Sequence, residues 1–411
     1  MKHSVLVVGA GMVGTCTAVH LALRGHEVTL VDRIEPGRET SYGNAGIIQR
    51  EAVEPYPFPR EWAVLARAVL KRGAAVNYHL AALPSQARAL AAYWSNSRPD
   101  RHRVISQAHA RLIEHALDGH QPLIEQAGAQ DLIQREGYRL VFRDPVSMQK
   151  ALAQAGALAA SHTVRYQVLD TEALSRAEPG LQARLAGAIH WLDPWTVSDP
   201  GALVGRYAAL LERAGGRLAR GDATTLRQTG SGWRAHTQEG AVDAEHAVVA
   251  LGPWSDTVLK TLGYRYPLFV KRGYHRHYRG GTAPRLPAYD VDGGYVLAPM
   301  CQGVRLTTGA EFARIGAPAT PVQLTRAEVL ARQLFELREP VESEPWVGAR
   351  PCTADMLPVI GPAPRHRGLW FNFGHAHQGF TLGPVSGQLV ADLIEGGPTV
   401  VDAGPYAPGR F

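Results

Sequence analysis

Residues 4–14 read SVLVVGAGMVG, a short apolar run that leads into three glycines spaced as GxGxxG. The continuous apolar residues predict a β-strand that is buried on both faces. Gly9 allows a tight turn, Gly11 allows a ligand to approach the backbone, and Gly14 allows the next helix to pack closely on the strand. The free N–H groups at the start of that helix favour a phosphate group.

A second strand follows at the distance that a dinucleotide-binding unit requires. Residues 26–32 read HEVTLVD and end at Asp32, whose carboxylate can accept hydrogen bonds from both ribose hydroxyls. Strand, glycine turn, helix and acidic strand end together predict a Rossmann-type nucleotide site. The fingerprint leaves NAD and FAD open, and Arg33 weakens the argument that Asp32 makes against NADP.

The composition is that of an ordinary globular protein, with 411 residues of which 45% are hydrophobic and 19% are charged. This length predicts two domains. The net charge of +6 comes mostly from scattered arginines, without the concentrated patch that nucleic-acid binding needs. We expect no nucleic-acid partner, and a basic surface that suits acidic small molecules or a membrane face.

Cysteine usage and hydropathy bear on the compartment. Cys16, Cys301 and Cys352 are odd in number and far apart, which predicts neither a disulfide framework nor a zinc site. No apolar run reaches about 18 residues, so no membrane-spanning helix is expected, and the N-terminal strand pattern argues against a signal peptide. We expect a cytoplasmic protein, with peripheral association on the inner face of the cytoplasmic membrane as an alternative.

The rest of the chain alternates between two kinds of pattern. Residues 61–163 show helical periodicity, and a solvated helical face is favoured over membrane docking for 61–94. Residues 165–260 return to α/β patterning, with a helix that begins near Ser198 or Asp199. Residues 264–312 alternate as antiparallel strands, 325–337 predict a helix, and 346–411 end in a strand and a helix.

These patterns predict an α/β fold with a Rossmann-type domain that is split in sequence and a second domain of antiparallel sheet plus helices. We assign 1–58, 164–258 and 346–411 to the nucleotide-binding domain, and 59–163 and 259–345 to the substrate-binding domain. A split domain suits a long dinucleotide whose ring extends across the molecule, which favours FAD over NAD.

Five stretches together resemble the FAD-dependent D-amino-acid oxidase superfamily, which includes glycine oxidase. They are GAGMVG with its distant Asp32, TSYGNAG, VVALGPWS, GARPCTADMLPVIGP and GHAHQGFTLGPVSG. The resemblance covers nearly the whole chain, and within the superfamily it favours the bacterial D-amino-acid dehydrogenases. The stretches KRGYHRHY and GVRLTTGAEF, with GHAHQGFTLGPVSG, resemble members that oxidise hydroxy-D-proline.

The resemblance implies FAD that is bound without a covalent link, because Gly348 stands where sarcosine-oxidase relatives carry the cysteine that attaches flavin. Backbone N–H groups of 374–381 would stabilise negative charge on the reduced flavin. The residues implied to contact FAD are Gly9, Gly11, Gly14, Asp32, Arg33, Thr40, Ser41, Asn44, Ala45, Gly46, Ala223, Ala250, Gly252, Trp254, Gly374, His375, Gln378, Gly379, Phe380 and Thr381.

The resemblance also implies a substrate site. Arg350 matches the arginine that forks onto the substrate carboxylate, a task that suits a planar and permanently charged guanidinium. Tyr295 matches a tyrosine that binds the same carboxylate, Tyr274 and His275 shape the pocket from the facing strand, and His377 contacts the amine or hydroxyl of the substrate. The alternatives are a structural ion pair for Arg350, a core tyrosine for Tyr295 and a packed histidine for His275.

Three functions remain open at this point. The favoured one is dehydrogenation of a small D-amino acid, D-proline or cis-4-hydroxy-D-proline, by hydride transfer from Cα to flavin N5, with a quinone or the respiratory chain as electron acceptor. The alternatives are a glycine- or sarcosine-type oxidase that uses oxygen, and a non-catalytic flavoprotein subunit of a complex. A homo-oligomer is compatible with each. His375 and His377 lack a third ligand, so no metal is expected.

Overall fold

The structure of the protein, a computed structural model, describes residues 2–61, 65, 76–230 and 232–411. The helical interpretation of 61–163, including the face of 61–94, falls in part on residues outside these ranges. The helices described are α1 (Met12–Leu23), α2 (Leu83–Asn96), α3 (Pro99–Glu114), α4 (Ala116–Ala127), α5 (Pro145–His162), α6 (Thr171–Ala177), α7 (Pro200–Arg213), α8 (Ser255–Thr261), α9 (Val322–Ala331) and α10 (Gly379–Glu395). Within the described residues, none of these helices has the length and hydropathy to cross a membrane.

In the part of the chain that the structure describes, the strands form two large sheets and one small sheet. They are β1 (Ser4–Val8), β2 (Glu27–Asp32), β3 (Ile47–Ile48), β4 (Val76–Tyr78), β5 (Ile133–Gln134), β6 (Tyr138–Phe142), β7 (Tyr166–Asp170), β8 (Gly187–Trp191), β9 (Trp195–Val197), β10 (Arg217–Gln228), β11 (Trp233–Thr237), β12 (Gly240–Ala244), β13 (His246–Val249), β14 (Leu268–Arg279), β15 (Ala288–Asp290), β16 (Tyr295–Met300), β17 (Gly303–Thr308), β18 (Ala310–Phe312), β19 (Glu339–Pro340), β20 (Trp346–Thr353), β21 (Val359–Pro362) and β22 (Leu369–Phe373). The small sheet joins β3, β9 and β5.

The first sheet has the order β12-β11-β10-β2-β1-β13-β22-β21. Its central strands, from β10 to β22, run parallel, and antiparallel strands flank them on both sides. Separate stretches of the chain contribute to it. The predicted Rossmann-type domain, split in sequence, is therefore confirmed as a fold class.

Strand β1 is buried on both faces, as its unbroken apolar run predicted. Val5 and Val7 enter a core that α1, α7 and α10 complete, and Leu6 and Val8 enter a second core to which α8 contributes. All four residues are at most 1% exposed. Because both faces are covered, β1 holds the glycine turn that follows it in a fixed position.

The second sheet is larger and centres on β14. Its order is β4-β18-β14-β17-β16-β15-β6-β8-β7, and β19 and β20 also pair with β14. Strand β14 pairs with β20 in unbroken register from Leu268 to His275, so its side chains alternate between the two faces of the sheet. Lys271, Gly273 and His275 lie on one face, and Arg272 and Tyr274 lie on the other.

The sheets divide the chain differently from the domain boundaries predicted above. Strands β7 and β8, within 164–258, join the antiparallel sheet, and so does β20, within 346–411. Helices α3 and α4, within 59–163, bury Leu112, Ile113 and Leu123 in the core that covers the nucleotide-binding sheet. Local periodicity identifies an element but not the sheet that it joins, which explains the error.

Individual helix predictions fare better. Asp199 caps α7, because its carboxylate accepts the N–H of Ala202 at 3.0 Å, as predicted. The helix predicted over 325–337 is Val322–Ala331 and ends six residues earlier. The C-terminal helix predicted within 346–411 is α10, which starts at Gly379, and this brings its N-terminus to the functional site described next.

Candidate active site

A cavity of about 1030 Å³ extends from the glycine turn after β1 to one face of the antiparallel sheet. Gly9, Asp32 and Trp254 border one end of it, here called the nucleotide end. Lys271 and Arg350 border the other, here called the substrate end. The two ends therefore belong to a single connected space between the two large sheets.

The glycine turn has no room for side chains at two of its three positions. Gly9 has a φ of 106°, and a Cβ there would lie 2.5 Å from the carbonyl oxygen of Ala250. A Cβ on Gly14 would lie 1.8 Å from the carbonyl oxygen of Gly9. A Cβ on Gly11 would meet only Ser41 Oγ, at 3.5 Å. Gly9 and Gly14 thus serve the turn and the helix packing, whereas Gly11 keeps open the space in front of the backbone.

The acidic end of β2 borders the same turn. Asp32 accepts the N–H of Ala10 and the N–H of Arg33, each at 2.6 Å. The guanidinium of Arg33 lies 4.5 Å from the centre of the Trp254 ring and pairs with Glu39. The carboxylate, the cation and the indole ring lie together at the nucleotide end. In dinucleotide-binding folds, a carboxylate at this position binds the ribose hydroxyls.

A second helix N-terminus reaches the cavity from the C-terminal part of the chain. The turn before α10 uses positive φ at Gly374 (83°) and Ala376 (51°). The first N–H with a carbonyl partner in the helix is that of Leu382, which donates to Gln378 at 2.8 Å. The preceding helical N–H groups, from Gly379 on, have no carbonyl partner within the helix. Their donors and the helix dipole fit the electronegative edge of a flavin.

Most residues predicted to contact the cofactor border the cavity. Those at its surface are Gly9, Gly11, Asp32, Arg33, Thr40, Ser41, Asn44, Ala45, Ala223, Ala250, Gly252, Trp254, His375, Gly379 and Phe380. Gly14, Gly46, Gly374, Gln378 and Thr381 lie behind this surface. Two of these support Gln49, which borders the cavity: Gln378 donates to its side-chain oxygen at 2.9 Å, and Thr381 Oγ1 accepts its N–H at 3.2 Å.

Arg350 dominates the substrate end. Its guanidinium donates to the carbonyl oxygens of Gly309 at 3.1 Å and Thr308 at 3.5 Å, and the described residues contain no carboxylate paired with it. It lies across Gly273, where a Cβ would be 2.6 Å from Nη2. Burial lowers the pKa of Arg350, but an arginine stays charged at neutral pH. The group is a cation with neutral partners at the edge of a cavity.

Because side chains alternate along β14, Tyr274 points away from the pocket in which the sequence analysis placed it. Tyr274 shares the sheet face opposite to Arg350, where its hydroxyl donates to Glu311 at 2.7 Å and accepts the N–H of Thr320 at 2.8 Å. Arg272 completes that buried network. Tyr274 does not border the cavity, so the structure corrects the expectation that it shapes the pocket.

Tyr295 and His275 are also placed differently from the prediction. Tyr295 borders the cavity and pairs with Thr308, but its hydroxyl accepts a hydrogen bond from Arg143 at 3.3 Å, on the same sheet face as Tyr274. His275 is fully buried and stacks on Trp346 with ring centres 4.7 Å apart. Burial lowers the pKa of His275 to about 2, and the ring stands behind Trp346 without bordering the cavity.

His377 does border the cavity. Its ring lies 4.8 Å from that of Tyr56, and Gln378 donates to its Nε2 at 3.1 Å. Burial, together with Arg350 and Lys271, holds the pKa of His377 well below its usual range. The neighbouring His375 is buried and has a pKa of about 3 for the same reason of burial. The lowered pKa values favour the neutral form of both histidines at pH 7, and both side chains border the cavity.

Two groups of functional interest were missed by the sequence reasoning. One is Lys271 with Tyr56 and Tyr93, which border the substrate end. Lys271 lies on the same strand as Tyr274 and His275, which the prediction chose instead, and the alternation of side chains along a β-strand was the signal that could have found it. The other is the cluster of Arg305, His277 and Glu342.

That cluster joins the antiparallel sheet to the loop beside the cavity. Arg305 is fully buried and donates to His277 Nε2 at 2.9 Å and to the carbonyl oxygens of Tyr42, at 2.8 Å, and Asn44. His277 Nδ1 contacts the Glu342 carboxylate. Because Nε2 accepts, the proton of neutral His277 sits on Nδ1 and is donated to Glu342. His277, Glu342 and His275 lie close enough together to surround a metal ion, but Arg305 donates to one ring nitrogen of His277 and Glu342 contacts the other, so both nitrogens are already engaged.

Fold and cavity together define an enzyme of the dinucleotide-binding class, with a nucleotide end on a parallel sheet and a cationic substrate end on an antiparallel sheet. Comparisons with known proteins agree. The model of the family described as FAD dependent oxidoreductase (DAO) matches residues 4–393. The chain belongs to this family, and FAD is its cofactor.

Individual relatives are similar along their whole length. A D-amino-acid oxidase of Bradyrhizobium diazoefficiens is 30% identical over 99% of this chain and 98% of its own. A D-amino acid dehydrogenase of Chromohalobacter salexigens is 30% identical over 97% of each chain. Among solved structures, glycine oxidase from Geobacillus kaustophilus superposes with a TM-score of 0.73 at 23% identity, covering 100% of this chain and 99% of that one. The chain is therefore an FAD-dependent oxidoreductase.

Proposed function

We propose that the protein dehydrogenates a small D-amino acid, with D-proline and cis-4-hydroxy-D-proline as the favoured substrates. Arg350 binds the carboxylate, and the Cα–H faces the flavin. The relatives named D-amino-acid oxidase and D-amino acid dehydrogenase support an amino-acid substrate. A quinone or the respiratory chain accepts the electrons, which is compatible with peripheral contact at the inner face of the cytoplasmic membrane.

The proposal rests on one observation, the lack of a carboxylate partner for the buried guanidinium of Arg350 among the described residues. A guanidinium in the protein interior normally has a carboxylate partner, because burying an unpaired charge is costly. Among the described residues, the partners of the Arg350 guanidinium are the carbonyl oxygens of Gly309 and Thr308, and Arg350 borders the cavity. A substrate carboxylate supplies the missing charge, and the planar fork of arginine fixes its orientation.

The walls of the substrate end favour a small apolar body. Aromatic and aliphatic side chains border it, among them Tyr56, Phe58, Leu90, Tyr93 and Phe312. These exclude water from the reacting carbon, which strengthens the interaction between Arg350 and a carboxylate. A pyrrolidine ring is an apolar body of this kind.

The protein's contribution to the chemistry is orientation. FAD, when bound, supplies the hydride-accepting group. Arg350 anchors the substrate at its carboxylate, and neutral His377 can hydrogen-bond the amine without adding a charge. We propose that the N–H groups at the start of α10 stabilise the negative charge that the reaction delivers to the cofactor. No carboxylate base borders the substrate end among the described residues, and hydride transfer from an unprotonated amino acid requires none.

Anaerobic reduction of the flavin tests the proposal directly. The purified holoenzyme is expected to lose its yellow colour when D-proline or cis-4-hydroxy-D-proline is added without oxygen. A panel of D-amino acids against an artificial electron acceptor then ranks the substrates. A flavin that stays oxidised with every member of the panel would contradict the proposed function.

Variants of Arg350 test the role of its fork. Arg350→Met removes the charge and both donors, and kcat/KM is expected to fall by at least about 100-fold, mainly through KM. Arg350→Lys keeps the charge without the fork and should lose about tenfold. The matched control is Arg338→Met, which removes an exposed arginine that pairs with Glu336. Unchanged kinetics in Arg350→Met would refute the carboxylate-binding role.

An oxidase that delivers electrons to oxygen is the second candidate. It is favoured by the relative named D-amino-acid oxidase and by the fold shared with a glycine oxidase. Hydrogen peroxide formed in proportion to substrate in air would select the oxidase. Slow reoxidation in air together with fast reduction of a quinone or dye would select the dehydrogenase.

A further inference from the structure

A lysine that has no ion-pair partner within the described part of the chain stands beside the arginine of the substrate end. Lys271 in β14 is directly opposite Arg350 in β20 and directly opposite Phe312 in β18. Opposed residues of antiparallel strands point to the same face of the sheet, with Cβ atoms about 5 Å apart. Both cations therefore project from one face, and both border the cavity.

The ammonium group of Lys271 has more N–H donors than the described residues accept. Its Nζ donates to Tyr93 Oη at 3.3 Å, and Tyr93 donates in turn to the carbonyl oxygen of Tyr56 at 2.6 Å. An ammonium group carries three N–H donors, and within the described part of the chain Tyr93 is the acceptor found for them. Tyr93 therefore positions Lys271 and leaves two donors for a ligand.

The surroundings of Lys271 are aromatic. The centres of the Tyr93, Phe269 and Phe312 rings lie 4.6, 5.5 and 5.9 Å from Nζ. Aromatic rings attract a cation weakly through their faces, but they do not supply the oxygen acceptor that an N–H donor of Lys271 needs. Burial, together with the charge of Arg350, lowers the pKa of Lys271. Charged or neutral, its nitrogen keeps N–H donors beyond the one that Tyr93 Oη accepts, and no further acceptor for them is found within the described residues.

No carboxylate of the cavity can serve Lys271. Those that border it among the described residues are Asp32, Glu39 and Asp222, and all three belong to the nucleotide end. Glu51 is close to the substrate end, but its carboxyl group is occupied by Tyr138 at 2.8 Å and by Gln49 at 2.7 Å. Within the described residues, the cavity therefore offers Lys271 no carboxylate at the substrate end.

We propose that Lys271 is a specificity residue that binds a second oxygen of the substrate, a hydroxyl on the same side of the molecule as its carboxylate. The inference rests on the proposed function, in which Arg350 holds the carboxylate. In cis-4-hydroxy-D-proline the hydroxyl and the carboxylate lie on one face of the ring, and in the trans isomer they lie on opposite faces. Two donors that project from one sheet face match the cis arrangement.

The test compares three prolines that differ by one hydroxyl. D-proline, cis-4-hydroxy-D-proline and trans-4-hydroxy-D-proline are given to the holoenzyme with an artificial electron acceptor. The kcat/KM of the cis compound is expected to exceed the other two by about tenfold or more, the value of one hydrogen bond from a charged donor. This measurement needs no variant.

Variants then assign the preference to Lys271. In Lys271→Met the ratio of kcat/KM between cis-4-hydroxy-D-proline and D-proline should fall towards one. Lys271→Gln keeps an N–H donor and should retain part of the ratio. Lys260→Met removes a surface lysine that pairs with Asp256 and should keep the wild-type ratio.

The outcomes separate this inference from the proposed function. Equal kcat/KM for the three prolines in the wild-type enzyme overturns the role of Lys271 while D-proline oxidation stands. A Lys271→Met enzyme that binds FAD and keeps the full cis preference also overturns it. If none of the three compounds reduces the flavin, the proposed function itself fails. Should Lys271→Met not fold, Lys271→Gln and the wild-type ratios decide.

Discussion

Replacing Arg305 with methionine should weaken FAD binding, although Arg305 borders neither end of the cavity. Arg305 extends from β17 to the loop that carries Ser41, Asn44 and Ala45, and it donates to the carbonyl oxygens of Tyr42 and Asn44. The loop borders the cavity at several positions. We expect Arg305→Met to release the loop, because its two carbonyl groups lose their buried donor.

The size of the effect follows from the hydrogen bonds. A buried polar group without a partner costs about 1–3 kcal/mol. Leaving two carbonyl groups without donors therefore costs about 2–3 kcal/mol. The upper end of the range is reduced because the substitution also removes a buried cation, which is itself costly to bury. If the cofactor must restore this order on binding, the Kd for FAD rises by about 30- to 160-fold.

The assay is titration of the apoprotein with FAD, followed by the change in flavin fluorescence on binding. Arg279→Met is the matched control, because Arg279 is an exposed arginine that donates to a carbonyl oxygen, that of Gln302, away from the cavity. Thermal unfolding of the apoproteins shows whether the fold is intact. An Arg305→Met protein with the wild-type Kd for FAD would refute the reasoning.

Two further predictions concern the glycine turn and acid. Gly14→Ala should abolish stable folding, because its Cβ would lie 1.8 Å from a carbonyl oxygen. Gly11→Ala should fold normally but bind FAD weakly. Thermal unfolding measures the stability of both variants, and the flavin content of the purified proteins measures FAD binding. Buried His109 and His120 have pKa values lowered by burial to about 4. Their stabilising contribution is complete above pH 6.5 and declines as pH falls towards 4, by up to about 1.4 kcal/mol per pH unit for each, measurable by urea unfolding.

Each of these has an outcome that contradicts it. A Gly11→Ala protein that retains stoichiometric FAD would show that the space before Gly11 is not needed. A Gly14→Ala protein as stable as the wild type would show that helix α1 can shift without cost. Equal unfolding free energies at pH 7.5 and pH 5 would show that the buried histidines take up protons in the folded state.

The sequence predicted the strand that borders the substrate end, but it did not predict which face of that strand meets the cavity. The stretch KRGYHRHY was identified as a strand of the second domain, and β14 confirms this. The sequence favoured Tyr274 with His275, which point to opposite faces, and it overlooked Lys271. Which face meets the cavity depends on the pairing of β14 with β20 and β18, and both of those strands begin more than 30 residues after β14 ends.

Local patterns determined the nucleotide-binding half of this protein. Strand β1, the glycine turn, helix α1 and Asp32 are contiguous, so their geometry follows from short-range sterics and from burial on two sides. Arg350 could be singled out only through resemblance, and its free guanidinium became visible only in the structure.

Tertiary structure alone decided the rest. It placed β7, β8 and β20 in the antiparallel sheet and α3 and α4 on the nucleotide-binding core, and it set Lys271 beside Arg350 and Arg305 against the cofactor loop. Each of these is a contact between segments far apart in sequence. Such contacts depend on which apolar faces pack together and which strand edges pair in the whole fold. The local hydrophobic periodicity of a segment does not contain that information.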